Sequence, residues 1–114
     1  MKKNLILNTY LNDQLLFKEN LIGSLENDIL KYTNENDTFE INLKEETFLK
    51  ENLESIFEIK KEMALITLKE VNKTFEINLH KYIFTNKENK IIIEYHLESN
   101  EQIKIEIEMS EEDA

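Results

Sequence analysis

The sequence contains no cysteine, no arginine, no proline and no tryptophan, and it has a single glycine. Because cysteine is absent, a disulfide, a thiolate metal site and a cysteine nucleophile are all excluded. Because there is one glycine, the chain has no glycine-rich loop that could cradle a phosphate. Without arginine, it also lacks the planar group that grips phosphate or guanine through paired hydrogen bonds.

The charge balance is strongly acidic. The 114 residues include 14 basic residues, all of them lysine, against 24 acidic ones, which gives a formal net charge of -10. Such a surface repels nucleic-acid backbones and anionic membranes, so we expect neither as a partner. The apolar run at Leu5, Ile6 and Leu7 is too short for a secretory signal, which predicts a cytoplasmic location.

Several segments alternate apolar and polar residues, which is typical of strands with one buried face. The clearest are residues 38–44, 73–79, 90–98 and 103–109, and the last two are separated by a short polar turn that predicts a hairpin. Weaker patterns predict further strands at residues 4–10, 15–22 and 28–33. Asparagine and aspartate between the segments can take the place of the missing glycines in turns.

Residues 45–71 fit two structures. Their apolar residues recur at the spacing of a helix, and glutamate, lysine and leucine favour helices. Residues 55–59 and 66–68 are instead rich in residues that favour strands. Two fold classes therefore stay open: a mainly β barrel of about eight to ten strands, or an α+β fold with a helix in residues 45–71.

The hexapeptide Thr-Phe-Glu-Ile-Asn-Leu occurs at residues 38–43 and again at residues 74–79. At the same offset, residues 57–59 correspond to residues 93–95, which lie in a clear strand pattern. Two copies are too few for a repeat architecture. The correspondence nevertheless favours a strand over residues 53–60.

With the strands placed in this way, the chain resembles the YwiB-like family, bacterial proteins of unknown function with a lipocalin-type (calycin-like) β-barrel. The resemblance extends from Leu5 to Ile107, and its best local matches are residues 23–32, 48–57, 74–79 and 91–97. It implies an antiparallel up-and-down barrel with strands through residues 45–71, and it supplies no catalytic residues. We predict one barrel domain over residues 1–110 and a disordered acidic tail over residues 111–114.

Four aromatic residues occupy the same alternate strand positions as the core-facing aliphatic residues, so we expect them to point inward: Phe39, Phe57, Phe75 and Tyr95. A small barrel either fills its interior with such side chains or keeps a cavity for one apolar ligand. We predict these four residues as the ligand-binding set of a non-catalytic barrel. The hydroxyl groups of Tyr32, Tyr82 and Tyr95 either supply the polar groups of this pocket or are buried with satisfied hydrogen bonds. The sequence shows no catalytic motif, and we predict no enzyme activity and no cofactor.

Two other sets of residues suggest different functions. The only histidines, His80 and His96, could form a metal site with neighbouring glutamates, but solvated surface histidines fit the pattern better, and we predict no metal. The alternation breaks after Leu79, which predicts either a β-bulge or a strand buried by a subunit contact. Phe84 and Ile92 are the candidate interface of a homodimeric interaction domain, or else tolerated surface hydrophobic residues.

Overall fold

The computed structural model describes residues 1–111, which form a closed antiparallel barrel of ten strands. Along each strand, side chains alternate between the interior and the outer face. The strands in chain order are β1 (Lys2–Leu11), β2 (Gln14–Glu26), β3 (Ile29–Asn34), β4 (Asp37–Asn42), β5 (Thr47–Glu51), β6 (Ser55–Lys60), β7 (Met63–Leu68), β8 (Lys73–Lys87), β9 (Lys90–Leu97) and β10 (Gln102–Glu111).

The barrel has up-and-down topology, because each strand pairs with the next along the chain and β1 pairs with β10. This confirms the predicted mainly β barrel of eight to ten strands. Residues 45–71 form β5, β6 and β7, so the alternative of a helix there is wrong. Cross-strand pairing places Phe48, Ile59 and Ala64 side by side in the buried interior, and this burial outweighs the local helix propensity.

All ten strands between Lys2 and Glu111 belong to one sheet. Glu111, which we predicted as the start of the tail, instead ends β10 and lies opposite Lys3 of β1. The rest of the predicted tail, residues 112–114, lies outside the described residues. Within residues 1–111 there is no helix that is long and apolar enough to cross a membrane.

The turns use asparagine and aspartate where glycine is more common. Asn12 and Asp13 have φ angles of 49° and 67°, and Asn27 and Asp28 have φ angles of 52° and 66°. Two consecutive positive φ angles make a type I′ turn, whose twist matches that of a two-residue hairpin. Both residue types tolerate this conformation because their short side chains hydrogen-bond to nearby backbone. The predicted replacement of glycine by asparagine and aspartate is therefore confirmed at these two turns, whereas other turns place glutamate or lysine in the same conformation.

One end of the barrel is filled with side chains. We call it the closed end, and it carries the turns at residues 27–28, 43–46, 61–62 and 88–89. The Tyr82 hydroxyl donates a hydrogen bond of 2.9 Å to the carbonyl oxygen of Glu46, which ties β8 to the turn between β4 and β5. The fully buried side chains of this end are Leu5, Leu30, Ile41, Ile59, Ala64, Ile91 and Ile107.

The predicted bulge in β8 is present at His80. Leu79 and Lys81 lie opposite consecutive residues of β9, so His80 has no partner in that strand. The extra residue exchanges the inner and outer faces for all side chains that follow it in the strand. Tyr82 and Phe84 therefore turn toward the interior, where both pack against the core.

The sheet closes between β2 and β3 through three residue pairs, which run from Ser24 to Glu26 on β2. Residues 14–22 of β2 pair with β1 alone. Next to the closure lies Gly23, where an added Cβ would be 2.7 Å from Leu5 Cδ1 and 3.0 Å from the Lys31 carbonyl oxygen. Leu5 is 1% exposed and cannot easily move away, so this close approach of strands requires a glycine.

We expect Gly23→Ala to lower the free energy of unfolding by about 1–3 kcal/mol, because its methyl group would overpack the contact with Leu5. Urea denaturation followed by circular dichroism measures the change. Ser24→Ala is the matched control, since Ser24 is exposed on the same strand. Equal stability of the two variants would show that the close approach is not required.

Candidate ligand cavity

The interior is hollow at the other end of the barrel, which we call the open end. A cavity of about 850 Å³ opens there. This volume lies within the range of about 300–1,000 Å³ found for ligand pockets. Its apolar lining comprises Leu11, Leu16, Phe17, Phe39, Phe48, Phe57, Ile66, Tyr95, Ile103 and Ile105, with Tyr10 beside them, and its polar lining comprises Thr9, Glu19, Asn34, Glu35, Asp37, Lys50, Asn52 and Ser55.

A row of aromatic rings crosses the interior from β3 to β9. Tyr32 stacks on Phe39 with ring centroids 4.7 Å apart. The row continues from Phe39 to Phe48 at 6.0 Å and from Phe48 to Phe57 at 6.4 Å. It ends with Phe57 and Tyr95 at 5.8 Å. These spacings are those of favourable aromatic pairs, and they hold the ring faces in place around the floor of the cavity.

Three of the four predicted ligand-binding residues line the cavity: Phe39, Phe57 and Tyr95. Phe75 does not, and its side chain is 50% exposed. The pairing of β8 with β9 begins only at Leu79, so Phe75 lies beyond the end of β9 with a single neighbouring strand. The sequence did not single out Phe48, which contacts both Phe39 and Phe57.

A polar cluster occupies one wall of the cavity. The Asn52 side-chain amide donates a hydrogen bond of 3.2 Å to Asp37 Oδ1, and Lys50 Nζ lies 3.8 Å from Asp37 Oδ2. Lys50 Nζ is also 5.9 Å from the centroid of the Phe39 ring. The positive charge of Lys50 is therefore shared between a carboxylate and an aromatic face.

Glu19 is a carboxylate on the inner face of β2. It lies opposite Leu7 of β1, and Leu7 is buried in the core. None of the ion pairs formed among residues 1–111 includes Glu19. We did not predict this residue as part of a site, although it shares the parity of Phe17 and Leu21 in the expected strand over residues 15–22.

The tyrosines of the interior keep their protons. Burial raises the pKa of the Tyr95 hydroxyl to about 12. Burial also raises the pKa of Tyr32, and the negative charge of Glu19 raises it further. The Tyr32 hydroxyl is buried and finds no hydrogen-bond partner in the described part of the chain. Neither Tyr32 nor Tyr82 lines the cavity, so Tyr95 is the one lining residue among the three tyrosines predicted to supply its polar groups.

The remaining candidate residues are not brought together. His96 Nε2 lies 2.8 Å from Glu94 Oε2, whereas His80 is exposed at the bulge, and no group of metal-ligating side chains forms within residues 1–111. Phe84 lies opposite Ile93 and faces the interior, whereas Ile92 has the opposite parity. Because the bulge turns Phe84 inward while Ile92 points outward, the two residues of the predicted interface do not share one surface.

Comparison of the chain with protein-family models, with curated proteins and with solved structures yields no match. The cavity, with its aromatic lining and its inward carboxylate, is therefore the feature of the molecule from which a function can be inferred.

We expect Tyr32→Phe to raise the free energy of unfolding by about 1–2 kcal/mol, because it removes a buried hydroxyl that lacks a partner. Tyr82→Phe is the matched comparison, since it removes a hydroxyl that donates to Glu46 and should cost about 1 kcal/mol. Thermal and urea unfolding of the two variants measure the difference. Destabilisation by Tyr32→Phe would mean that its hydroxyl has a partner in the native protein.

Proposed function

We propose that the protein is a non-catalytic barrel that binds one small, mostly apolar molecule in its cavity. The observation that carries this proposal is the division of the interior into a filled closed end and a hollow open end of about 850 Å³. Membership of the YwiB-like family, a bacterial source and a cytoplasmic location stay predictions.

The lining supports this function through its shape and chemistry. Phe39 and Phe57 offer partly exposed apolar rings to the cavity, and the buried Phe48 between them fixes their geometry through ring-to-ring contacts. Such rigid aromatic walls lose little conformational entropy when a ligand packs on them. A few polar groups at the mouth, among them Asn34 and Ser55, would orient the ligand, as is common in apolar pockets.

The mouth of the cavity gives a ligand a route to the interior. Leu16 and Phe17 line the cavity and are 50% and 58% exposed. They belong to the part of β2 that is not paired with β3, so the wall is open beside them. An apolar molecule entering there would cover apolar surface that is otherwise in contact with water.

The cavity can be tested by filling it. Thr9 points into the cavity between Phe17 and Ile105 of the neighbouring strands, so Thr9→Trp would place an indole where the ligand lies. We expect the wild-type protein to bind N-phenyl-1-naphthylamine, an uncharged apolar fluorophore, with one molecule per chain. Thr9→Trp should weaken this binding by about ten-fold or more. The fluorescence of the probe reports the affinity.

Asn8→Trp is the control for this experiment, because Asn8 is the preceding residue of β1 and points to the outer face. It should leave the affinity unchanged. Circular dichroism of both variants checks that the barrel has formed. Absence of probe binding to the wild-type protein, or an equal loss in both variants, would contradict binding in the cavity.

A second candidate function is self-association as a homodimer. Residues 14–22 of β2 leave one edge unpaired, and Leu15 and Ile22 on this segment are 53% and 56% exposed. An unpaired edge can add a strand from another chain. The partner that fits here is the same segment of a second copy, since two antiparallel edges related by a two-fold axis complete each other.

For this alternative we expect sedimentation velocity to detect a dimer whose population rises with protein concentration. Leu15→Lys should shift the equilibrium toward the monomer by about ten-fold, because it puts a charge into the apolar contact. Val71→Lys is the control, since Val71 is similarly exposed, at 56%, in the turn between β7 and β8. A wild-type monomer at every concentration would exclude the homodimer.

A further inference from the structure

We propose that the ligand of the cavity carries a positive charge on an apolar body, and that Glu19 is the partner of this charge. The ligand class is an organic ammonium ion, such as an aryl-alkyl amine. This inference rests on the proposed ligand-binding function and adds to it the chemistry of the ligand.

The charges on the cavity wall favour a cation. The cavity lining contains three carboxylates, those of Glu19, Glu35 and Asp37, and one ammonium group, that of Lys50. Lys50 already lies 3.8 Å from Asp37, so each largely compensates the other. The carboxylates that stay uncompensated are Glu19 and Glu35, and Glu19 is the deeper of the two, on the inner face of β2. The cavity therefore holds an excess of negative charge.

The surroundings of Glu19 give independent support. A carboxylate between apolar neighbours is costly unless a cation or hydrogen-bond donors compensate it. Phe17 and Leu21 flank Glu19 on the inner face of β2, and the buried Leu7 lies opposite it on β1. An ammonium group of the ligand would donate to this carboxylate. It would thus give Glu19 the cationic partner that it lacks among residues 1–111.

The aromatic lining suits the same ligand. A cation is attracted to the face of an aromatic ring, and this attraction grows as water is excluded. Lys50 shows that the lining accepts such a contact, since its Nζ lies 5.9 Å from the centroid of Phe39. The rings of Phe57 and Tyr95 continue the row and would contact the apolar body of the ligand.

An anionic ligand fits the cavity less well. Its only cationic partner on the wall would be Lys50, which it would have to share with Asp37. It would also bring a second negative charge close to Glu19. The net charge of -10 on the whole chain further disfavours the approach of an anion and favours that of a cation.

Three probes that differ only in their charged group test the inference: 4-phenylbutylamine, 4-phenylbutanol and 4-phenylbutyrate. Isothermal titration calorimetry with the full chain at low ionic strength measures their affinities. We expect the amine to bind about ten-fold more tightly than the alcohol, and the carboxylate to bind most weakly. Added salt should weaken the binding of the amine and leave the binding of the alcohol unchanged.

The assignment to Glu19 is tested by Glu19→Gln, which removes the charge and keeps the shape. It should abolish the preference for the amine over the alcohol. Glu76→Gln removes the same charge from an exposed position on the outer face of β8 and should leave the preference intact. Circular dichroism and melting of both variants confirm that they are folded.

Each other outcome overturns a defined part of the proposal. Equal binding of all three probes would leave the ligand-binding function standing and overturn the inference about charge. A preference for the amine that survives Glu19→Gln would overturn the assignment to Glu19. Failure of all three probes to bind, together with failure of N-phenyl-1-naphthylamine, would overturn the proposed function and the inference with it.

Discussion

The barrel depends on the contact that closes its sheet. Three residue pairs join β2 to β3, whereas β1 pairs with β2 and β10 along most of its length. The closure is confined to the closed end, where the absence of a side chain at Gly23 lets β1, β2 and β3 approach one another. Beyond it the two strands separate, and this separation leaves room for the cavity and for its lateral opening. One short ladder therefore closes the barrel and, by ending early, leaves its interior accessible from the side.

The two ends of the interior differ in chemistry as well as in packing. The fully buried side chains of the closed end are aliphatic, as Leu30, Ile41 and Ile91 show. The open end is lined by aromatic rings and by charged groups, with Glu19 facing inward. Cores are rarely built with an uncompensated carboxylate, because its burial costs free energy that packing does not return. The open end therefore differs from the closed end in that charged groups share its lining with apolar ones.

How far the sequence could predict the structure is clearest from its repeated hexapeptide. Alternation correctly predicted a strand for both copies, yet Phe39 of the first lines the cavity while Phe75 of the second is half exposed. The difference arises from the stagger between β8 and β9, which no local pattern encodes. Residues 45–71 show the same limit, since their helical spacing is overridden by cross-strand burial. The break in alternation after Leu79 left a bulge and a subunit contact open, and the structure shows the bulge, which turns Phe84 inward.

The sequence by itself determined the period-two alternation, the turn residues with positive φ and the excess of negative charge, because each of these is a local or summed property of the chain. It also marked Phe39, Phe57 and Tyr95 as inward-facing. Only the tertiary structure decided that the interior is filled at one end and hollow at the other. Filling depends on how far each strand is shifted against its neighbours, and that shift is set by the closure of the whole sheet. The position of Glu19 on the cavity wall has the same origin, since β2 pairs with β3 only at the closure and separates from it along the segment that carries Glu19.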